Sequence, residues 1–231
     1  MMNNPEAFKR AKQAAAKAAA EIIQSGMLIG LGTGSTAAFF IEALIERCRN
    51  QSLNVRVFPT SERSAKLALA GGIPLCDDRT VQLDLAVDGA DEIDPQKRMI
   101  KGGGGALLRE KIIAGMSREM IVIADQNKLV EHLGGFPLPL EIIPFARHAT
   151  FNKIQTLGYN ASFRCSESGE LFITDNGNTI IDIKFHEKCL SPEKDQAILN
   201  EIPGVVETGF FFNLAGRIFV GQFDGTVKII E

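Results

Sequence analysis

Short apolar runs alternate with stretches of helical spacing through the first 130 residues. Met27–Leu31, Val55–Phe58, Leu83–Val87 and Met120–Ala124 are contiguous apolar runs of the kind that strands buried on both faces require. Between them, Thr36–Arg47 and Ser61–Ala70 place apolar side chains at helical intervals, and Gly71-Gly72 stops the second. A further helix is predicted over Ala106–Ala114, opened by a glycine-rich run. Upstream, Asn4 and Pro5 supply the cap and first residue of a helix that ends before Ser25-Gly26. Strands alternating with helices in this way predict βαβ units and a parallel sheet.

Pro137 and Pro139 mark a change of texture. The pattern then predicts a strand from Leu138, a helix over Phe145–Leu157 and a strand over Asn160–Arg164. A hairpin follows, with arms Leu171–Thr174 and Thr179–Ile183 around Asp175-Asn176-Gly177-Asn178, where Asn-Gly is the turn signal. Ser191-Pro192-Glu193 opens another helix, and Val205–Phe212 is the closing strand. That order is a small ferredoxin-like α+β unit. The tail runs, Ile218–Gly221 and Val227–Ile230, are expected to return to the first sheet. The division expected is 1–131 plus 208–231 for the larger domain and 132–207 for the smaller.

Charge and composition narrow the partners. Twenty-five basic residues against 28 acidic ones give a formal charge of −3, which argues against a nucleic-acid partner. Four cysteines without a CxxC pair read as reduced thiols in a cytoplasmic protein. His132, His148 and His186 are isolated, with no zinc-ligand spacing. The N-terminus lacks an apolar signal core. The charge-free run from Gly26 to Ile41 is broken by glycines and hydroxyls, so it is a strand and loop, not a membrane span. What departs from the ordinary is glycine: 22 residues, about 10% against a usual ~7%.

The surplus is clustered at strand ends. Gly30 to Thr36 (GLGTGST) joins a strand to a helix, where close backbone approach and free helix N–H groups suit an anion such as phosphate. Gly32-x-Gly34-x-x-Ala37 also satisfies a dinucleotide fingerprint, but the acidic partner expected about 20 residues on is missing. Glu62 lies 28 residues after Gly34, so a monophosphate is favoured. A tight turn without ligand is the plain alternative. Asp88-Gly89-Ala90-Asp91-Glu92, with Asp94, sets four carboxylates after the strand LDLAV. They could take Mg²⁺, bind sugar hydroxyls or form a solvated acidic turn. Lys101 is followed by Gly102, Gly103, Gly104 and Gly105, a run costly in backbone entropy unless a special path or ligand needs it. Glu110 lies one turn into the next helix, where a desolvated carboxylate suits general-base work; Arg109-Glu110-Lys111 reads equally well as a charged exterior. Lys128 follows the strand MIVIA.

Together these motifs resemble type A ribose-5-phosphate isomerases. The resemblance rests on GTGST (32–36), VDGADEID (87–94), KGGGGALLREK (101–111), TDNGN (174–178) and PGVVETGFF (203–211), in order over nearly the whole chain. It implies a Rossmann-like domain with an inserted α+β domain, a homo-oligomer, usually a dimer, and no metal or cofactor. It further implies that Thr33, Gly34, Ser35, Thr36, Asp88, Gly89, Ala90, Asp91, Lys101, Gly102, Gly103 and Gly104 line a phosphosugar site. Glu110 matches the proton acceptor and Lys128 a further substrate-binding lysine. Asn127 stands where the family often has serine. The expected reaction passes through an enediol, with Lys101 facing the developing oxyanion and Asp88, assisted by Asp91, on the sugar hydroxyls. A phosphosugar sensor and a nicotinamide dehydrogenase are the competing readings. The first would usually carry a helix-turn-helix segment, which the 26 residues before the first strand do not suggest; the second wants the missing acidic partner.

Overall fold

The computed structural model describes residues 4–77, 79–80, 82–185 and 191–231. His186 and Cys189 lie outside them. In chain order the elements are α1 (Pro5–Glu21), β1 (Leu28–Leu31), α2 (Ser35–Gln51), β2 (Arg56–Pro59), α3 (Glu62–Ala70), β3 (Leu85–Asp88), β4 (Glu92–Ile93), β5 (Met99–Ile100), α4 (Leu107–Gly115) and β6 (Met120–Asp125). After a 3₁₀ turn over Gln126–Lys128 come β7 (Leu138–Ile142), α5 (Arg147–Thr156), β8 (Asn160–Phe163), β9 (Thr179–Lys184), α6 (Pro192–Asn200), β10 (Val205–Thr208), β11 (Phe210–Phe211), β12 (Ala215–Gly221) and β13 (Val227–Ile230). The chain forms two compact units. One comprises Met1–Ala90, Arg109–Leu129 and Asn213–Glu231, the other Asp91–Leu108 and Val130–Phe212.

The first unit is built on a six-stranded sheet in the order β13-β12-β6-β3-β1-β2. Every neighbouring pair is parallel except β12 with the edge strand β13. After β1 the chain adds β2 on one flank and then returns to add β3 on the other, so strand order reverses between β1 and β3. In open α/β sheets that switch point opens the crevice where ligands bind, outside the carboxyl ends of the strands. The fully apolar runs are explained by burial: Ile29, Leu31, Val87, Ile121 and Ile123 are inaccessible strand residues in the core. Phe40, Ile41 and Leu44 of α2 and the alanine face of α1 pack on them. Arg47 donates to the carbonyls of Ala20 and Ile23, satisfying the open C-terminal end of α1.

The second unit holds a four-stranded antiparallel sheet in the order β10-β7-β9-β8. With α5 and α6 as the connections this is the βαββαβ order of a ferredoxin-like unit. Its core gathers Leu138, Leu140, Ile142, Ile154, Ile181, Ile183 and Leu199. A separate three-stranded sheet, β11-β5-β4, has no clear signal in the apolar pattern because its strands are two residues each. The fold class is thus α/β, a Rossmann-like parallel sheet with a smaller ferredoxin-like α+β insertion.

Two local expectations change. Leu171–Thr174 forms no regular strand: Ile173 bridges Thr179 antiparallel beside the turn and Leu171 bridges Cys165, while from Ile181 onward β8 occupies that edge of β9. The Asn-Gly turn does form, with Thr174 N–H on Asn178 O and Gly177 N–H on Thr174 O. The predicted closing strand is also two strands. At Gly209 the chain leaves the larger sheet of this unit for the smaller one, its N–H on Pro139 O and its carbonyl on Lys101 N–H.

Candidate active site

At the switch point the first two sequence clusters meet. Gly32 N–H continues the β1–β3 ladder to Val87 O at 2.9 Å. A side chain at Gly32 would overlap the Asp88 carboxylate and its backbone, so only glycine lets the two strand ends approach this closely. Asp88 is 3% exposed, and its Oδ1 accepts from Thr33 N–H at 3.1 Å and Gly89 N–H at 2.7 Å. The carboxylate is therefore fixed by two main-chain donors, one from each loop. Thr33 Oγ1 and Thr60 Oγ1 lie 2.7 Å apart. Ser64 Oγ donates to Gly32 O at 2.7 Å and accepts from Ser61 Oγ. Thr60, Ser61 and Ser64 were not singled out by the motifs; their only sequence signal is polar residues at the end of the second apolar run.

Helix α2 is capped by Gly34, which has no side chain to bond the first turn. Ser35 Oγ accepts from Lys12 Nζ at 3.0 Å, bringing a cation from α1 to the start of α2. Such a helix start, with its amide donors and partial positive charge, is an anion cradle. One strand over, Asp125 closes β6, is 2% exposed and accepts Asn127 N–H at 3.1 Å. This turns the chain into the 3₁₀ segment that presents Lys128, half-buried. Asn127 itself is exposed. Glu110, in the first turn of α4, is 4% exposed while Arg109 and Lys111 beside it are half-exposed, so it is no part of a solvated charged face.

In the second unit, Asp91 and the glycine run meet. Asp91 N–H bonds Ile100 O at 2.9 Å, and Asp91 Oδ2 accepts Gly103 N–H at 2.8 Å. Lys101 is 2% exposed, with Nζ 5.3 Å from the centre of the Phe211 ring, a cation–π contact. Its N–H is held by Gly209 O at 2.9 Å. The other two carboxylates of the acidic cluster have structural partners. Glu92 Oε1 and Oε2 accept Phe136 and Gly134 N–H at 2.7 Å each. Asp94 Oδ1 accepts Gln96 and Arg98 N–H, and its Oδ2 takes Arg98 Nε at 2.6 Å. Arg98 also pairs with Glu193 at 2.7 Å, which holds the Glu193 carboxyl below the usual range and raises the Arg98 guanidinium. Among the described residues no group of three His, Cys, Asp or Glu side chains is placed to hold a metal ion. Burial pushes the half-buried thiols of Cys48 and Cys76 up, away from the reactive thiolate.

Glycine-rich loops and fixed carboxylates at the carboxyl ends of a parallel sheet define an α/β enzyme for a small polar ligand. Relatives specify the chemistry. A family profile described as ribose 5-phosphate isomerase A (phosphoriboisomerase A) matches residues 56–225. The ribose-5-phosphate isomerase A of Protochlamydia amoebophila is 51% identical over 222 residues, covering 96% of this chain and 95% of that protein. The structure of ribose 5-phosphate isomerase A from Methanocaldococcus jannaschii matches with TM-score 0.89 at 39% identity, over 95% of this chain and 97% of that one. A D-ribose-5-phosphate isomerase solved in complex with phospho-erythronic acid matches with TM-score 0.91 at 40% identity over 100% of both chains. The chain belongs to the ribose 5-phosphate isomerase A family and is an aldose–ketose isomerase. No helix among the described residues is long and apolar enough to cross a membrane.

Proposed function

We propose that this chain interconverts D-ribose 5-phosphate and D-ribulose 5-phosphate through an enediol, with Glu110 as the general base. The observation that carries the reading is Glu110 itself: a carboxylate 4% exposed in the first turn of its helix, between two half-exposed basic residues. The carboxylate is set apart from the charged surface on either side of it, and a carboxylate held in one place can take a proton from carbon and give it back.

In the open-chain aldehyde Glu110 removes the C2 proton, and the electron pair moves through C1 to the aldehyde oxygen. Lys101, a buried cation, stabilises the negative charge on that oxygen. A proton passes from the C2 hydroxyl to O1 through Asp88, assisted by Asp91, and protonated Glu110 returns its proton to C1. Atoms and charge balance, and neither a redox cofactor nor a metal takes part. The Thr33–Thr36 loop, with Lys12 beside Ser35, suits the phosphate; Gly89, Ala90, Gly102, Gly103, Gly104 and Lys128 complete the contacts. Holding the phosphate remotely lets binding energy align C1 and C2. The phosphorylated sugar acid named for the solved relative supports this substrate class. We further propose a homo-oligomer, a dimer in the simplest case, and a cytoplasmic location.

The test is the absorbance of the ketose formed from ribose 5-phosphate by the purified chain with no added cofactor. Turnover is expected. A requirement for a nicotinamide would favour a dehydrogenase, and binding without turnover a sensor.

A further inference from the structure

We propose that Arg164 is a positioning residue for the Lys101–Gly105 loop, acting on two successive peptide units and above all on the Gly102–Gly103 peptide. Arg164 Nη1 donates to Gly102 O at 2.8 Å and to Gly103 O at 3.2 Å. The N–H of that same Gly102–Gly103 peptide donates to Asp91 Oδ2 at 2.8 Å. A peptide is planar, so bonds at its oxygen and its nitrogen fix the orientation of the whole plane. The position is one that needs such control, because Gly102 has φ +99° and a run of four glycines has no side chains to order it.

The guanidinium is not available as a substrate cation. Its Nε and Nη2 form a bidentate pair with Asp182 at 2.8 and 2.5 Å, which neutralises it and fixes its plane. Asp182 sits in β9, between β7 and β8, so the clamp is rooted in an interior strand. Arg164 also lies over the Phe172 ring at 6.0 Å, and Phe172 fills the space beside Gly105. Phe172 in turn precedes the Thr174–Asn178 turn, whose Thr174 hydroxyl and Asn176 and Asn178 amides all donate to the fully buried Glu141. The TDNGN motif thereby gains a purpose: with Glu141 it anchors the segment that, through Phe172 and Arg164, holds the loop next to Lys101.

The inference rests on Lys101 serving catalysis, and the test separates the two. In purified full-length Arg164→Gln, kcat falls by about 10- to 100-fold, the effect of a misplaced catalytic group. KM stays within about threefold, because no substrate-binding group has been removed. Arg164→Lys recovers little, since a single ammonium cannot bridge two carbonyls and a carboxylate. Millimolar guanidinium restores part of the turnover of Arg164→Ala. Should Arg164→Gln fold poorly, Asp182→Asn retains the cation and loosens its plane, with a smaller kcat loss expected. Amide exchange gives a readout independent of activity: Gly105 N–H, bonded to Gly102 O, exchanges faster in Arg164→Gln while β6 amides do not. Folded Arg164→Gln with wild-type kcat and unchanged Gly105 exchange overturns the proposal. So does a large KM rise at constant kcat, which would make Arg164 a substrate ligand. An inactive wild-type chain whose loop still loosens in Arg164→Gln overturns the isomerase reading and leaves the clamp standing.

Discussion

Two glycine loops in this chain solve the problem of order in opposite ways. The Gly32–Thr36 loop is ordered by the sheet that ends in it: Gly32 extends the β1–β3 ladder, and Asp88 from the adjacent strand end receives Thr33 N–H. The Lys101–Gly105 loop leaves a strand of only two residues and takes its order from distant side chains, Asp91 on an amide and Arg164 on two carbonyls. A loop at a switch point inherits rigidity from parallel pairing. A run of four glycines must import it.

Substitutions can break this comparison at different strengths. The largest effect is expected from Glu110→Gln, which keeps volume and removes the base. Its kcat should drop by two or more decades, since a positioned base contributes about 10²–10⁴-fold. Lys101→Met should follow, losing a charge-stabilising donor that is typically worth about 2.7–4 kcal/mol of barrier; steady-state kinetics on both variants ranks them. Between the loops themselves, Gly32→Ala should destabilise by about 1–3 kcal/mol in chemical denaturation, because the group it strikes is the buried Asp88. Gly103→Ala should cost about 1 kcal/mol or less, because it meets only the ends of two side chains, those of Asp91 and Phe136, neither of them fully buried. Equal costs would mean that both loops are ordered alike.

Weaker effects sharpen the roles within the acidic cluster. Glu92 and Asp94 are held by main-chain amides and Arg98, so EDTA should leave turnover unchanged; loss on chelation and recovery with Mg²⁺ would reassign the cluster to a metal. The smallest effect is expected at Glu193, whose carboxyl is depressed by Arg98 and is largely exposed. A depressed folded-state pKa stabilises fully above the ordinary glutamate value and is lost as pH falls through the lowered one. Glu193→Gln should therefore lower stability by about 1 kcal/mol or less at pH 7. Melting curves of the two proteins should converge in strong acid.

The same comparison explains what the sequence could tell. The parallel unit is legible because Met27–Leu31, Leu83–Val87 and Met120–Ala124 are apolar on both faces, and their ends carry glycine or aspartate in full view. Seven residues in a row, from Asp88 to Asp94, do not reveal that Glu92 and Asp94 serve neighbouring loops while Asp88 closes on Thr33. Local pattern also overestimates the pairing of Leu171–Thr174, since alternation cannot show that β8 takes that edge of β9 from Ile181 onward and leaves only a bridge at Thr179. Arg164 and Asp182 carry no motif: they are 18 residues apart, and their meaning lies in a peptide some 60 residues upstream. Asp91–Leu108 joins the second compact unit, a grouping that depends on contacts to Gly209 and Phe210 remote in sequence.

The central claim is that Glu110 carries a proton between C2 and C1. Proton NMR of ribose 5-phosphate incubated in D₂O tests it most directly. Wild type should wash solvent deuterium into the carbon-bound position at C2 of the recovered aldose and C1 of the ketose, and Glu110→Gln should do neither over the same interval. Exchange by Glu110→Gln at the wild-type rate would contradict the account.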